Sequence, residues 1–130
     1  MTIEDIKETL SPVFERQGNV LFAYLFGSVA KGEISPSSDL DIAFYLTGVR
    51  PEAFFENKLS LHANICRALK RDDADLAVLN APSNTMLIEE IIRHGIVMYD
   101  SDTDAREGYE VMALLETIDF RTQRRAVMGI

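Results

Sequence analysis

The chain has 130 residues, 47% of them hydrophobic and 26% charged, a composition that fits a folded globular protein and excludes an intrinsically disordered one. Thirteen Lys and Arg against 21 Asp and Glu give a net charge of −8, which disfavours non-specific binding to nucleic-acid backbones. No apolar run approaches the roughly 20 residues of a membrane helix, and the acidic N-terminus does not resemble a signal peptide. The single cysteine, Cys66, excludes an internal disulfide and suits a reducing compartment. We therefore expect one cytoplasmic domain spanning residues 1–130.

The predicted elements alternate between helices and strands. Apolar residues at helical spacing predict a first helix, which Thr2 caps and Gly18 ends. The apolar run 20–26 then predicts a buried strand. Residues 29–38, rich in Gly, Ser and Pro, predict a short helical turn and a loop. Downstream we predict a strand over 39–46, a helix from Pro51 to about Lys70, a strand over 75–79, a helix from 82–84 to Gly95, a strand over 96–99 and a long helix from about Thr103.

The two faces of the second predicted strand differ in character, because side chains alternate across a strand. One face carries Leu40, Ile42, Phe44 and Leu46, and the other carries Asp39, Asp41, Ala43 and Tyr45. In the third strand, Asp75 and Ala77 share a face in the same phase as Asp41 and Ala43. The alternation of strand and helix predicts an α/β (α+β) architecture with a small twisted mixed sheet of about four strands flanked by helices.

A Gly-Ser pair follows the first predicted strand. Gly27 has no side chain, so a ligand can approach the backbone there. Ser28 offers a hydroxyl and begins a helical turn whose free N–H groups and dipole favour an anion. This pair is a plausible seat for a triphosphate.

Two carboxylates follow ten residues later. Asp39 and Asp41 lie on one face of a strand, where their charges repel each other unless a cation lies between them. Oxygen-rich sites of carboxylates and phosphates are where Mg²⁺ binds, and Asp75 supplies a third carboxylate in matching phase. The set suits a two-metal site for in-line displacement at phosphorus.

Each of these features also has an ordinary explanation when it is taken alone. A Gly-Ser pair before a turn is common, and an Asp-x-Asp pattern also suits the exposed face of an edge strand. Together they favour function, because Asp is depleted in strands and two occur here among Leu, Ile, Phe and Tyr.

The segment LFGSVAKGEISPSSDLDIAFYL resembles the signature of the DNA polymerase β nucleotidyltransferase superfamily, and more narrowly that of the minimal nucleotidyltransferases, or MntA-like antitoxins. That signature is Gly-Ser, ten residues and Asp-x-Asp, and Gly27, Ser28, Asp39 and Asp41 match it without a gap. The resemblance extends to Asp75, on the strand where the family carries its third carboxylate, although Asp72 and Asp73 lie nearby. It covers nearly the whole chain and implies a polymerase-β-like nucleotidyltransferase fold.

The resemblance implies a role for each matching carboxylate. Asp39 and Asp41 would hold two Mg²⁺ ions that bridge the phosphates of a nucleotide. Asp75 would bind the second ion and help to deprotonate the attacking hydroxyl.

It also implies a nucleotide-binding set. Gly27 and Ser28 would contact the triphosphate. Lys31 stands where family members often carry a basic residue, and either neutralises phosphate charge or is a surface lysine. Ser38 either supports the nucleotide or caps the loop.

The function implied by the resemblance is transfer of AMP from ATP to a tyrosine of a HEPN-domain ribonuclease toxin, for which the chain would be the antitoxin. Two alternatives stay open: a module that neutralises its partner by binding alone, and a nucleotidyltransferase for small molecules such as aminoglycosides. Nothing in the sequence reads a base, so ATP comes from the resemblance alone, and direct nucleic-acid or membrane binding is not expected. The acceptor residue and the number of AMP units stay open.

The C-terminal helix is apolar on two sides. One set is Tyr109, Met112 and Ala113, and the other is Val111, Leu115 and Ile118. A helix with two apolar faces needs more cover than one small sheet supplies, so we expect part of it, together with the helix starting at Pro51, to meet a partner or a second subunit. Arg121, Arg124 and Arg125 give its end a basic character that suits either a solvated tail or an acidic partner surface.

Overall fold

The computed structural model describes residues 2–32, 39–81 and 85–128, and the side chains as far as Asp119. Within these ranges the elements follow one another in the predicted order. They are α1 (Ile3–Gln17), β1 (Val20–Phe26), α2 (Gly27–Ala30), β2 (Leu40–Leu46), α3 (Phe54–Leu69, preceded by a 3-10 turn at Pro51–Ala53), β3 (Ala74–Val78), α4 (Thr85–His94), β4 (Ile96–Asp100) and α5 (Thr103–Met128). Predicted and observed strand bounds agree to within one residue.

The start of α1 shows how local chemistry fixes an element. The Thr2 hydroxyl accepts from the backbone N–H of Asp5, and the Asp5 carboxylate accepts from the backbone N–H of Thr2. This reciprocal capping box satisfies two N–H groups that the helix cannot bond internally. Gly18 ends the helix in the left-handed conformation, at φ 79°, as the sequence predicts.

The four strands form a mixed sheet in the order β3-β2-β1-β4. β1 pairs antiparallel with both β2 and β4, whereas β2 and β3 run parallel. The helix α3 makes the crossover that a parallel pair requires. The predicted mixed sheet with flanking helices is confirmed.

The two sheet faces are covered by different helices. The face of Leu40, Ile42, Phe44 and Leu46 forms the main core with buried residues of α1 and α3, as the alternation of the second strand predicts. The opposite face forms a smaller cluster with residues of α4 and α5, whose buried members are Phe22, Tyr24, Ala43, Leu79 and Ile91. We call this opposite face the site face, because Asp41 lies on it.

A network of polar side chains anchors α5 to the site face. The buried Tyr24 hydroxyl donates to Glu110 at 2.7 Å. Arg106 donates to Asp100 on β4 and to Glu110, both at 2.8 Å. We call these four residues the Arg106 network. The network fixes which side of α5 faces the sheet.

The packing of α5 refines the sequence grouping. Tyr109 and Ala113 pack inward, whereas Met112 is largely exposed at the rim of a cavity that it lines with Phe22, Tyr45 and Tyr109. The apolar pattern alone could not assign Met112, because it lies at the border between the two stripes.

Over the residues the structure describes, no helix combines the length and apolarity needed to cross a bilayer.

Candidate functional site

The second and third strands bring two carboxylates side by side. Asp41 on β2 is the register partner of Asp75 on the parallel strand β3. Register partners on neighbouring strands point to the same face of a sheet, with adjacent strands about 4.8 Å apart. Asp41 is half-buried, Asp75 is exposed, and the exposed Asp39 precedes β2. The structure therefore brings the three predicted carboxylates to one end of the site face.

Negative charge accumulates in this group of carboxylates. Burial raises the pKa of Asp41 above its ordinary value, and the negative charges of Asp75 and Asp39 raise that pKa further. Both causes disfavour the ionised carboxylate. Across the described ranges, no three Asp, Glu, His or Cys side chains form a ready-made metal-binding cluster. Carboxylates that repel one another are expected to stand apart until a cation brings them together.

Gly27 lies against this group. Its strand neighbour Phe26 is the register partner of Asp41, and Gly27 itself adopts φ +76°. A Cβ atom at this position would overlap a carboxylate oxygen of Asp41. Glycine is needed here for two reasons: the left-handed backbone conformation and the close approach of a carboxylate.

Of the three other predicted nucleotide contacts, the structure describes two, Ser28 and Lys31. Ser28 is half-buried in the first turn of α2, beside Gly27. Lys31 follows α2, is exposed, and lies 3.8 Å from Glu90 on α4. The predicted contact at Ser38 lies outside the described residues. Ser28 thus follows the glycine that packs against Asp41. Lys31 instead forms an ion pair with an acidic side chain of α4.

An ion pair at the entrance to β3 was missed from the sequence. Arg71 donates through two nitrogens to the two carboxylate oxygens of Asp73, each at 2.6 Å. This pairing lowers the pKa of Asp73 and raises that of Arg71, which also feels the charge of Asp39. Because Asp73 is taken up by Arg71, Asp75 is the acidic residue of this segment that shares the face of Asp41. The pattern Arg71-x-Asp73-x-Asp75 was the available signal.

His62 supports the same strand from the other side. Its Nε2 lies 2.9 Å from the carbonyl oxygen of Ala74, the residue before Asp75, so that nitrogen carries the proton and donates. The half-buried Cys66, one helical turn along α3, packs near the ring. β3 is an edge strand with β2 as its only strand neighbour among the described elements. A bond from α3 therefore holds the edge at the start of the segment that carries Asp75.

Comparisons with known proteins identify the family and the fold. The family model "Polymerase beta, Nucleotidyltransferase" matches residues 8–104. A crystal structure of a toxin–antitoxin with AMP-PNP matches with a TM-score of 0.78 at 21% identity, covering 95% of each chain. No curated protein matches the sequence.

Two structures of MntA–HpeT toxin–antitoxin mutants match as well. One, with a pair of aspartate-to-glutamate substitutions, has a TM-score of 0.78 at 19% identity and covers 95% of both chains. The other has a TM-score of 0.69 at 23% identity and covers 99% of this chain and 96% of that one. At these identities the likeness shows a shared fold. The match over residues 8–104 establishes that the chain belongs to the polymerase beta nucleotidyltransferase family.

Proposed function

We propose that this chain is a Mg²⁺-dependent nucleotidyltransferase that transfers AMP from ATP to a tyrosine of a partner HEPN ribonuclease toxin, and so acts as the antitoxin. The observation that carries the proposal is the placement of Asp41 beside Asp75, against the bare backbone of Gly27. Acidic side chains packed this closely suit a triphosphate that arrives with its cations.

The donor set fits magnesium. Asp39, Asp41 and Asp75 offer carboxylate oxygens, the ligands that Mg²⁺ prefers. The pKa of Asp41 is raised by burial first and then by the negative charges of Asp75 and Asp39. These three residues would hold two ions, as the resemblance implies. When bound, the ions would neutralise phosphate charge and stabilise the charge that develops at the reacting phosphorus.

The chain's own residues have distinct tasks in the transfer. The acceptor hydroxyl oxygen forms a bond to the α-phosphorus, the bond from that phosphorus to the bridging oxygen breaks, and pyrophosphate leaves. Asp75 receives the hydroxyl proton, a role that its exposed carboxylate suits because an acceptor can reach it. Gly27 makes room for the Asp41 carboxylate, and Ser28 offers its hydroxyl and backbone N–H to the triphosphate.

The partner is proposed from the resemblance in the signature segment and from the structures with the same fold. Three of these are toxin–antitoxin structures, and one contains AMP-PNP. A bulky anionic AMP group beside the active site of a ribonuclease would exclude RNA by size and by charge. Modification would thus neutralise a toxin of this class.

Binding without catalysis is the second candidate. The exposed apolar residues of α3 and α5, among them Phe55, Leu59 and Leu115, suit protein contacts and would allow neutralisation by complex formation alone. The carboxylate geometry favours the enzyme over this candidate, since a pure binding module has no need for adjacent unbalanced charges. Transfer to a small molecule such as an aminoglycoside is a third reading, which modification of that compound would support.

The deciding experiment is intact-mass spectrometry of the partner encoded beside this chain, after incubation with the chain, Mg²⁺ and ATP. We expect additions of whole AMP units, which EDTA prevents. The Asp39→Asn/Asp41→Asn variant should add none, and it should keep the fold because both side chains reach solvent. A stable complex with no added mass would instead establish the binding module, and parallel reactions with GTP, CTP and UTP test the choice of nucleotide.

A further inference from the structure

The edge strand β3 carries Asp75 close to its N-terminal end. The strand has five residues, Ala74–Val78, and Asp75 is the second of them. Among the described strands it pairs with β2 alone. Local opening is easiest where backbone hydrogen bonds and buried contacts are few, as they are along a sheet edge. The position of Asp75 relative to Asp41 on β2 therefore depends on the contacts that fix the two ends of β3.

The C-terminal end of β3 is held by β2. Leu79 donates its backbone N–H to the carbonyl oxygen of Phe44 at 2.8 Å. The side chain of Asn80 then bonds both backbone groups of Leu46: its oxygen accepts from the N–H at 3.1 Å, and its nitrogen donates to the carbonyl oxygen at 2.7 Å. These bonds extend the pairing of β2 and β3 at the end that lies away from the carboxylates.

The N-terminal end of β3 is held by α3, through His62. The half-buried imidazole donates from Nε2 to the carbonyl oxygen of Ala74 at 2.9 Å. That carbonyl belongs to the peptide group that joins Ala74 to Asp75, so the bond acts on the backbone directly beside the carboxylate residue. The Sγ atom of Cys66 lies 3.7 and 3.9 Å from the two ring nitrogens and packs against the ring. The imidazole is thus fixed between its own helix and the start of the strand.

We propose that His62 is a positioning residue for the divalent-cation site: its bond to the backbone of Ala74 holds the Asp75 carboxylate in place beside its neighbour on β2. This role rests on the proposed function, since it takes Asp75 as a ligand of the ion. Asp41 and Asp75 are register partners, and like charges on neighbouring strands push the strands apart. Asp41 lies on a central strand and Asp75 on the edge, so β3 is the strand that yields. The bond from α3 opposes that displacement.

The test is the binding of Mn²⁺ to the full-length chain, followed by electron paramagnetic resonance of the free ion. Mn²⁺ takes the same carboxylate and water ligands as Mg²⁺. His62→Phe keeps a planar ring but removes the donor, and it should weaken Mn²⁺ binding about tenfold, as loss of groups that orient metal ligands does. His62→Gln keeps an N–H donor at a similar reach and should bind Mn²⁺ close to the wild type. Unchanged binding in His62→Phe, or equal losses in the two variants, overturns the proposal.

Asn80→Ala is the matched control, because it releases the other end of the same strand. It removes two bonds to the backbone of Leu46 and, like His62→Phe, should lower the urea midpoint of unfolding. Binding of Mn²⁺ should fall in His62→Phe alone, since Asn80 lies far along the strand from Asp75. Equal weakening in Asn80→Ala would show that His62 acts only through general stability, and would overturn the positioning role. If the phenyl ring prevents folding, His62→Ala removes the same donor and takes its place.

Transfer of AMP, measured on the same samples by intact mass, separates this role from the proposed function. If the wild type binds Mn²⁺, His62→Phe weakens that binding and no AMP is transferred, the proposed function fails while the role of His62 stands. If the wild type transfers AMP and all variants bind Mn²⁺ equally, only the role of His62 fails. A wild type that binds no Mn²⁺ overturns both the cation site and the role of His62.

Discussion

The Arg106 network and the three candidate carboxylates lie on the same face of one small sheet, but within the described residues only the network holds a cation that is hydrogen-bonded to its carboxylates. At the network end, Arg106 donates to Asp100 and Glu110, and the pKa of Asp100 is lowered. At the carboxylate end, burial and two neighbouring negative charges raise the pKa of Asp41. Similar acidic groups are thus satisfied internally at one end and left for an external ligand at the other. This difference separates a structural charge cluster from a candidate site.

The largest effect should come from Gly27→Ala. Alanine is strained at the positive φ of this position, and its methyl group would push the Asp41 carboxylate away. Because small misplacements of reacting groups slow reactions strongly, we expect AMP transfer to fall about a hundredfold. Gly48→Ala is the matched control, because Gly48 has φ +69° and no described atom lies within 4 Å of its added Cβ. Both variants should lose about 1–2 kcal/mol of unfolding free energy, since both strain the backbone. Equal losses of transfer, measured by intact mass, would show that the contact with Asp41 does not matter.

The next largest effect is expected on the free energy of unfolding, when the Arg106 network is disrupted. Arg106→Met leaves Asp100 and Glu110 without their cation in a largely buried position, so the unfolding free energy should fall by about 2 kcal/mol. Lys31→Met removes an exposed ion pair with Glu90 and should cost under about 0.5 kcal/mol. Urea unfolding measures both. If the two losses are equal, the Arg106 network is no more than a surface ion pair.

A smaller loss is expected from the tyrosine of the network. Tyr24→Phe removes a buried hydroxyl that donates to Glu110 and should cost about 1 kcal/mol, with AMP transfer unchanged. A double-mutant cycle with Glu110→Gln isolates that bond from the rest of the network. A loss of AMP transfer in Tyr24→Phe would show that the Arg106 network and the carboxylates are functionally coupled, although they are separate in the structure.

The carboxylate end could be predicted from the sequence because its geometry depends on short-range rules. Alternation along a strand places Asp39 and Asp41 together, and the matching phase of the third strand places Asp75 beside them. The Arg106 network could not be predicted in this way. Tyr24 and Glu110 are 86 residues apart, and only the packing of α5 on the sheet brings them into contact.

The site also had features that spacing alone could not resolve. Asp72, Asp73 and Asp75 were competing acidic residues, and the structure separates them through the bidentate pair of Asp73 with Arg71. The exposure of Met112 depends on the rotation of α5, which the Arg106 network fixes. Local periodicity therefore predicts which residues share a face, whereas long-range polar contacts decide which faces become buried.

The subtlest difference between the two ends is the sign of their pH dependence, measured by unfolding in EDTA. The folded-state pKa of Asp41 is raised, so its contribution to stability is present in acid and is lost as the pH rises through that pKa. The folded-state pKa of Asp100 is lowered, so its contribution is present above the unfolded value of about 4 and is lost as the pH falls through the folded value. Asp41→Asn should therefore become relatively more stable than the wild type as the pH rises, and Asp100→Asn relatively less stable. Adding Mg²⁺ near neutral pH should stabilise the wild type and Asp100→Asn but not Asp41→Asn, because binding to the folded state alone raises stability. If Asp41→Asn and Asp100→Asn followed the same pH trend, the contrast between a satisfied and an unsatisfied end of the sheet would not hold.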